Sequence, residues 1–304
     1  MIIIEDRRKS NFPYETHITL GSFDGLHLGH MELINETIKN SRKKGYKSMV
    51  YTFKNHPITV LNKNICPKLL MDNENKINCL SKLGVDILSL IPFDNSFMNI
   101  NPETFVKQLI KEYGAKEITV GFNFKFGKEN KGNVELLKEL QNKFSFKLHV
   151  IGPIKRENEI VSSTFIRELI EIGEIEKANS LLYTCFSLKG NIVGGKRFGR
   201  QMGFPTANLN FSSNMIVPKT GVYYTKVKYN KQIYKGITNI GYSPTVDGKH
   251  FTVETNILNF NKMIYGEDLR LYFIKRIRDE HKFASLNELK EQLDRDKSFA
   301  INEQ

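Results

Sequence analysis

Apolar positions recur in two rhythms along this chain, and the rhythm changes once. Through residue 182, short runs that are mostly apolar or β-branched (16–20, 48–53, 87–91, 118–120 and 147–151) alternate with longer stretches (31–44, 74–83, 102–113 and 134–144). In the longer stretches apolar residues return every three or four places. The short runs predict strands and the long ones amphipathic helices. Their alternation predicts an α/β domain on a doubly wound, Rossmann-like parallel sheet. A last helical stretch, 163–182, breaks near Gly173 and closes this half.

From Phe186 onwards the helical period is gone. Strand-like runs at 186–193, 222–229, 232–240, 251–260 and 269–277 follow one another with turns between them. Tyr229-Asn230-Lys231 and Asp247-Gly248 carry hairpin chemistry, because Asn, Asp and Gly tolerate positive φ. Ser285, with Glu288 three residues on, makes a capping box ahead of a helix over 285–296. Successive strands with one terminal helix predict a small β-barrel. At 304 residues the chain exceeds one average domain. The expected domains are 1–184 and 185–304, with the boundary near Tyr183–Phe186 and no internal repeat.

Composition narrows the function classes. With 40% hydrophobic residues the chain can build real cores, yet it holds no run of about 20 apolar residues to span a bilayer. An acidic pair, Glu5-Asp6, stands where a signal peptide needs its apolar stretch, so a cytoplasmic protein without a membrane partner is expected. Cys66, Cys79 and Cys185 are odd in number and form no CxxC pair, which argues against a disulfide frame or a cysteine zinc site. Net charge is +12, from 45 basic and 33 acidic residues. The surplus favours anionic partners, but the basic residues are scattered and accompany no nucleic-acid reading module. Small anionic molecules are the expected partners and nucleic acid is not; self-association stays open.

Two regions carry chemistry. In Gly203-Phe204-Pro205-Thr206-Ala207-Asn208, a Pro-fixed backbone presents a hydroxyl and an amide two residues apart. Thr206 and Asn208 offer neutral oxygens of the kind Mg²⁺ accepts while it shares itself with substrate phosphates. Upstream, Gly190, Gly194, Gly195 and Gly199 let backbone approach a polyphosphate, beside Lys196 and Arg200. Glu254, a carboxylate within a strand, could take the proton of an attacking hydroxyl. The other region, Gly21-Ser22-Phe23-Asp24-Gly25-Leu26-His27-Leu28-Gly29-His30, follows the first strand and opens the first long helix, where an open α/β sheet binds ligands. His27 and His30, three apart, can face one phosphate from the first helical turn. In Ser162-Ser163-Thr164-Phe165-Ile166-Arg167, Ser163 or Thr164 can N-cap a helix whose first turn carries Arg167. A cation there opposes the helix dipole unless a phosphate is bound. No G-x-x-x-x-G-K-[ST] run occurs, so a P-loop is excluded.

The 199–208 run resembles the signature of riboflavin kinases. The 21–30 and 162–167 runs resemble the HxGH-type nucleotidyltransferases. Together, in this order, they resemble the bacterial bifunctional riboflavin kinase/FAD synthetases (FMN adenylyltransferases), over about residues 15 to 298. Thr52–Pro57 and Gly121–Gly127 also match that family. The resemblance implies phosphorylation of riboflavin to FMN and adenylylation of FMN to FAD, with ATP as co-substrate and Mg²⁺ as cofactor. It implies that Gly21, Phe23, Asp24, Gly25, His27, His30, Ser163, Thr164 and Arg167 contact ATP. It further implies that His56, Pro57, Asn123 and Phe124 lie near flavin and the reacting phosphates, that Glu254 is the kinase base and that Arg278 contacts flavin. The chain departs from the family at Lys54-Asn55, where an acidic residue and proline are usual, and at Asn123, where aspartate is also common. Two other readings are a riboflavin kinase with a silent first module and a basic, flavin-sensing RNA-binding protein. Mutation of both histidines without loss of flux would favour the first, and steeply salt-dependent RNA binding the second.

Overall fold

The computed structural model describes all residues except 7–11, 62–66, 195–202, 246–247 and 304. They form two compact units, Met1–Ser163 and Thr164–Gln304.

The strands of the first unit are β1 (Ile2–Ile4), β2 (Thr16–Leu20), β3 (Lys47–Phe53), β4 (Ile87–Ile91), β5 (Ala115–Gly121) and β6 (Lys147–Ile151). They pair in the order β1-β4-β3-β2-β5-β6, all parallel. β2 and β4 are buried at every position, which is why apolar and β-branched residues dominate their sequences, with His17 and Ser89 as the buried polar exceptions. The helices are α1 (Leu28–Lys44), α2 (Ile58–Leu61), α3 (Asn73–Lys82), α4 (Asn95–Met98), α5 (Pro102–Tyr113) and α6 (Val134–Phe144). Helix α5 shows local and global signals agreeing. Asn101 caps it by accepting the Glu103 and Thr104 N–H groups, Pro102 opens its first turn, and Gly114 ends it at φ 67°. Its buried Phe105, Val106 and Leu109 pack on one side of the sheet, in the core that also holds Ile18, Val120 and Leu137. A second core gathers Ile34, Ile38, Leu80, Leu88 and Leu90.

The chain steps outwards from β2 to β3 and β4, then returns to place β5 on the other side of β2. That reversal is the topological switch point, where open α/β sheets leave a crevice at the strand carboxyl ends. The short elements β1, α2 and α4 and a hairpin after β6 lie outside the sequence expectation. The apolar run Ile2–Ile4 adds β1 to the sheet edge, with Ile2 N–H donating to Asp86 O. A two-residue turn with Glu157 and Asn158 at positive φ joins β7 (Lys155–Arg156) to β8 (Glu159–Ile160).

Helix α7 (Ser163–Ile172) starts on the last residue of the first unit, and in the second unit it and α8 (Ile175–Leu181) precede β9 (Ser187–Val193), β10 (Ala207–Phe211), β11 (Gly221–Tyr229), β12 (Gln232–Thr245), β13 (Gly248–Ile257) and β14 (Asp268–Arg278). These strands close an antiparallel barrel in the order β10-β13-β12-β11-β14-β9. Asn230 and Lys231, both at positive φ, make the two-residue turn between β11 and β12. Inside the barrel Thr225, Thr238 and Thr255 form a buried hydroxyl ladder with 2.9 and 2.8 Å steps. The terminal helix α9 (Leu286–Asn302) packs Phe299 and Ala300 over Val222, Tyr224 and Ile237. Its capping box is displaced by one residue: Ser285 accepts the Glu288 N–H, but Glu288 reaches back to the Ala284 N–H.

Three expectations for this half change. Residues 207–211 form strand β10, because the phosphate-type signature continues into an Asn- and Leu-bearing strand that its glycines and proline mask. Strand β13 ends at Ile257, and Asn259 turns at positive φ where the expected strand continued to residue 260. Gly190 sits in β9, and a Cβ there would meet the Asn210 carbonyl oxygen at 2.1 Å. Its small size is therefore explained by the close approach of β10, not by a phosphate loop. Gly195, Lys196, Gly199 and Arg200 lie outside the described residues, as do Cys66 and Asp247 of the second hairpin turn. Cys79 and Cys185 form no disulfide, and no helix among the described residues is long and apolar enough to cross a membrane.

Candidate active sites

After β2 the chain turns through Gly21–Leu26 into α1. Phe23 and Leu26 adopt left-handed backbone, φ 47° and 48°, and both are fully buried. Their burial holds a conformation that large side chains avoid on their own. His27 N-caps α1, its Nδ1 accepting the His30 N–H at 3.3 Å. The two imidazoles stack with centroids 3.6 Å apart, and the Phe23 ring backs His30 at 5.1 Å. Both rings therefore stand together at the helix N-terminus, where unpaired N–H groups and the dipole favour an anion.

They line a cleft of about 410 Å³ at the switch point between β2 and β5. Gly21, Pro57, Asn123, Phe124 and Ser163 line the same cleft, which has the size of a small-molecule site. Burial first, and then the neighbouring His27 and Lys76, hold His30 well below the usual imidazole range. At neutral pH it is uncharged, able to donate a hydrogen bond but not to supply a cation. Its Nδ1 is buried without a hydrogen-bond partner.

The cation beside this loop is Lys76, which the sequence did not mark. It lies in the first turns of α3, 5% exposed, and its Nζ donates to the Ser22 carbonyl at 3.1 Å. Burial lowers its pKa from 10.5 to about 8, opposed by attraction to Asp24. The only sequence signal was a lysine on what would otherwise be an apolar helix position.

Several expected ATP contacts take other places. The Asp24 carboxylate, 2% exposed, accepts the N–H groups of Leu70 (3.0 Å) and Met71 (3.2 Å), so it ties the loop to the segment before α3. Phe23 belongs to the core beneath His30, and Gly25 turns the loop at φ 87° without lining the cleft. Ser163 is already helical, so it does not cap α7; its hydroxyl donates to the Asp24 carbonyl at 3.1 Å. Thr164 and Arg167 follow on α7, in the second unit. His56 accepts the Ile58 N–H on Nδ1 at 3.3 Å and shares a small recess with Pro57 and Lys76. The departures from the family pattern have local reasons. Asn55 brackets the Phe93 backbone, accepting its N–H and donating to its C=O at 2.9 Å each, and Lys54 pairs with Glu5 at 3.2 Å.

In the barrel, strand register assembles the second site. Asn208 pairs with Glu254, and Glu254 with Asn239, so the three side chains share one face across β10, β13 and β12. Thr206 donates to the Glu254 carboxylate at 3.5 Å. Beside this row Thr206 and Asn208 line a cleft of about 330 Å³, whose opposite wall is the 260–265 segment with Phe260 and Tyr265. Cross-strand pairing brings Asn239, which stands in no spaced motif, to the row. Arg278, expected at the flavin, is engaged by protein groups. Its Nε and Nη2 donate to Asp296 of α9 at 3.1 and 2.8 Å, and its Nη1 to the Asp279 carbonyl at 3.1 Å. Asp296 is 1% exposed, which commits the guanidinium to holding α9 on the barrel.

A family model described as FAD synthetase matches residues 9–165, and one described as riboflavin kinase matches 182–303. A bifunctional riboflavin kinase/FMN adenylyltransferase of Bacillus subtilis (strain 168) is 36% identical, covering 93% of this chain and 91% of its own. The Escherichia coli (strain K12) protein of the same description is 32% identical, covering 93% and 91%. A crystal structure from Streptococcus pneumoniae, described as a macrolide-efflux protein, superposes with a TM-score of 0.90 at 32% identity over the full length of both chains.

Proposed function

The chain belongs to the bifunctional riboflavin kinase/FMN adenylyltransferase family, and from that premise we propose how its residues share the two reactions. It phosphorylates riboflavin with ATP to FMN, then joins FMN to the adenylyl group of a second ATP, giving FAD and pyrophosphate.

The barrel carries the kinase step, with Glu254 as general base. Its carboxylate takes the proton of the riboflavin terminal hydroxyl as that oxygen bonds to the γ-phosphorus and the β–γ bridge breaks. The observation that carries this assignment is the row Asn208–Glu254–Asn239 with the Thr206 hydroxyl turned onto Glu254. Hydroxyl, amide and carboxylate oxygens gathered beside a cleft suit a hard cation, so Thr206 and Asn208 would hold Mg²⁺. When bound, that ion neutralises charge on the substrate phosphates.

The first unit carries the adenylyl step. An FMN phosphate oxygen bonds to the α-phosphorus of ATP and the α–β bridge breaks; no enzyme nucleophile is required, and positioning with charge stabilisation does the work. His27 and His30 meet the phosphates at the α1 N-terminus, His30 as a neutral hydrogen-bond donor, and Lys76 supplies the buried positive charge. Pro57, Asn123 and Phe124 border the flavin side of the same cleft. The family likeness adds His56 as a substrate contact. The protein acts in the cytoplasm on small molecules.

Metal titration of the two steps tests the assignment. With Asn208→Ala or Thr206→Ala, FMN formation should need at least tenfold more Mg²⁺, while adenylylation of supplied FMN keeps its Mg²⁺ dependence. An unchanged Mg²⁺ requirement in the kinase step would place the ion elsewhere.

A further inference from the structure

On the first unit's sheet, away from the residues assigned to either reaction, three side chains with metal-ligand chemistry converge. His17 of β2 stands directly beside Glu117 of β5, and His149 of β6 lies one pair further along, opposite Thr119. One ligand atom from each residue lies within 4.8 Å of the other two. A single carboxylate oxygen, Glu117 Oε2, is 2.7 Å from His149 Nε2 and 3.5 Å from His17 Nδ1. His17 is fully buried, and its Nδ1 has no hydrogen-bond partner. Its other ring nitrogen, Nε2, is fixed by Thr119 Oγ1 at 2.7 Å. We propose that His17, Glu117 and His149 form a site for a divalent transition-metal ion, Zn²⁺ by ligand chemistry, that clamps β2, β5 and β6.

Chemistry and geometry both lead there. When His17 gives its Nε2 proton to Thr119, the Nδ1 lone pair faces a buried carboxylate oxygen, an arrangement that a cation between them relieves. Two imidazoles and one carboxylate are the donor set of three-ligand zinc sites, whose fourth position is open. Ligands about 2.0–2.1 Å from zinc at tetrahedral angles stand about 3.3 Å apart, close to the 3.5 Å between His17 Nδ1 and Glu117 Oε2. His149 must withdraw from its present 2.7 Å contact by several tenths of an ångström. Its side chain is 15% exposed at the edge strand, which leaves both room for that shift and an entry path. The Thr119 hydroxyl is the outer partner that orients a metal-bound imidazole. The other charged groups near His17 are Glu36 of α1 and Lys147 of β6. The clamped strands continue into Gly21, Phe122 and Ile151, which line the adenylylation cleft.

The test uses the full chain, stripped with a chelator and titrated with Co²⁺, whose visible absorption reports four-coordinate ligation, and then with Zn²⁺. One equivalent of Co²⁺ should give visible bands that Zn²⁺ displaces, and Zn²⁺ should raise the Tm. His149→Gln should abolish both effects while the metal-free circular dichroism stays that of the wild type. Thr119→Val should weaken Zn²⁺ by about 10–100-fold, as loss of an outer-shell partner does, and Thr119→Ser should restore it. The bands should survive in the His27→Asn/His30→Asn double variant. Absence of bands in the stripped wild type overturns the proposal. So does their persistence in His149→Gln, or their loss only in the His27/His30 variant.

Discussion

Replacing Asp296 by alanine leaves Arg278 without the partner that receives its Nε and Nη2 hydrogen bonds. The carboxylate is 1% exposed and also accepts from Gln292 at 2.8 Å, so three groups lose one acceptor. Breaking a buried ion pair costs about 3–5 kcal/mol, because the surviving charge stays buried. The Arg278 side chain is 21% exposed, and water can rehydrate it in part, which sets the expectation near the lower end, about 3 kcal/mol. Hydrogen exchange read by mass spectrometry on α9 and β14 peptides is the assay, because it reports opening of this docked helix locally. A loss of about 3 kcal/mol corresponds to exchange about 100-fold faster. Asp296→Asn, which keeps an acceptor, should cost less, and Arg278→Met/Asp296→Leu should recover much of the loss. Riboflavin KM at low temperature should stay close to the wild-type value. A raised KM for riboflavin with α9 exchange within threefold of wild type would refute the clamp and restore Arg278 as a flavin contact.

Lys76 links burial to pH. Its pKa of about 8 means that the charge on the free enzyme is lost above that pH, so kcat/KM for ATP in adenylylation should fall above pH 8. Lys76→Arg should move that fall out of range, and a wild-type profile flat to pH 10 would contradict the assignment. In the same window the unfolded chain binds the proton that folded Lys76 has released. First-unit stability should therefore rise by about 3 kcal/mol between about pH 8 and pH 10.5, and Lys76→Met should flatten that rise. Gly190→Ala should destabilise the barrel, since its Cβ would meet the Asn210 carbonyl at 2.1 Å. KM for ATP of the folded fraction should not change; an ATP defect without a stability loss would return Gly190 to phosphate binding.

Much of the fold was legible because strand and helix periods were clean. The runs 16–20, 87–91 and 147–151 coincide with β2, β4 and β6, and 102–113 and 134–144 with α5 and α6. Ile2–Ile4 was missed because three apolar residues have no period, and their strand character comes from pairing with β4. Residues 207–211 were hidden by a motif: Pro205 and the glycines read as loop, while β10 is made a strand by pairing with β9 on one side and with β13, some 45 residues on, on the other. The sites were half legible. His27, His30, Thr206 and Asn208 stood in spaced motifs, and the structure seats each pair together. Lys76 had no motif, and its importance comes from burial beside Ser22 and Asp24. Asp24 and Arg278 show the opposite case, marked by motifs yet engaged by protein groups. A charged residue within a motif reads as a ligand contact, but spacing cannot reveal that a backbone N–H or an aspartate 18 residues on already occupies it.

The most direct test of two separable active sites is a chromatographic time course of flavins from two single-site variants of the full chain. Glu254→Gln should form no FMN from riboflavin and ATP, yet convert supplied FMN to FAD at the wild-type rate. The His27→Ala/His30→Ala variant should accumulate FMN at the wild-type rate, with FAD formation reduced by at least about 100-fold. Loss of both steps in either folded variant, or FMN still formed by Glu254→Gln, would contradict the account.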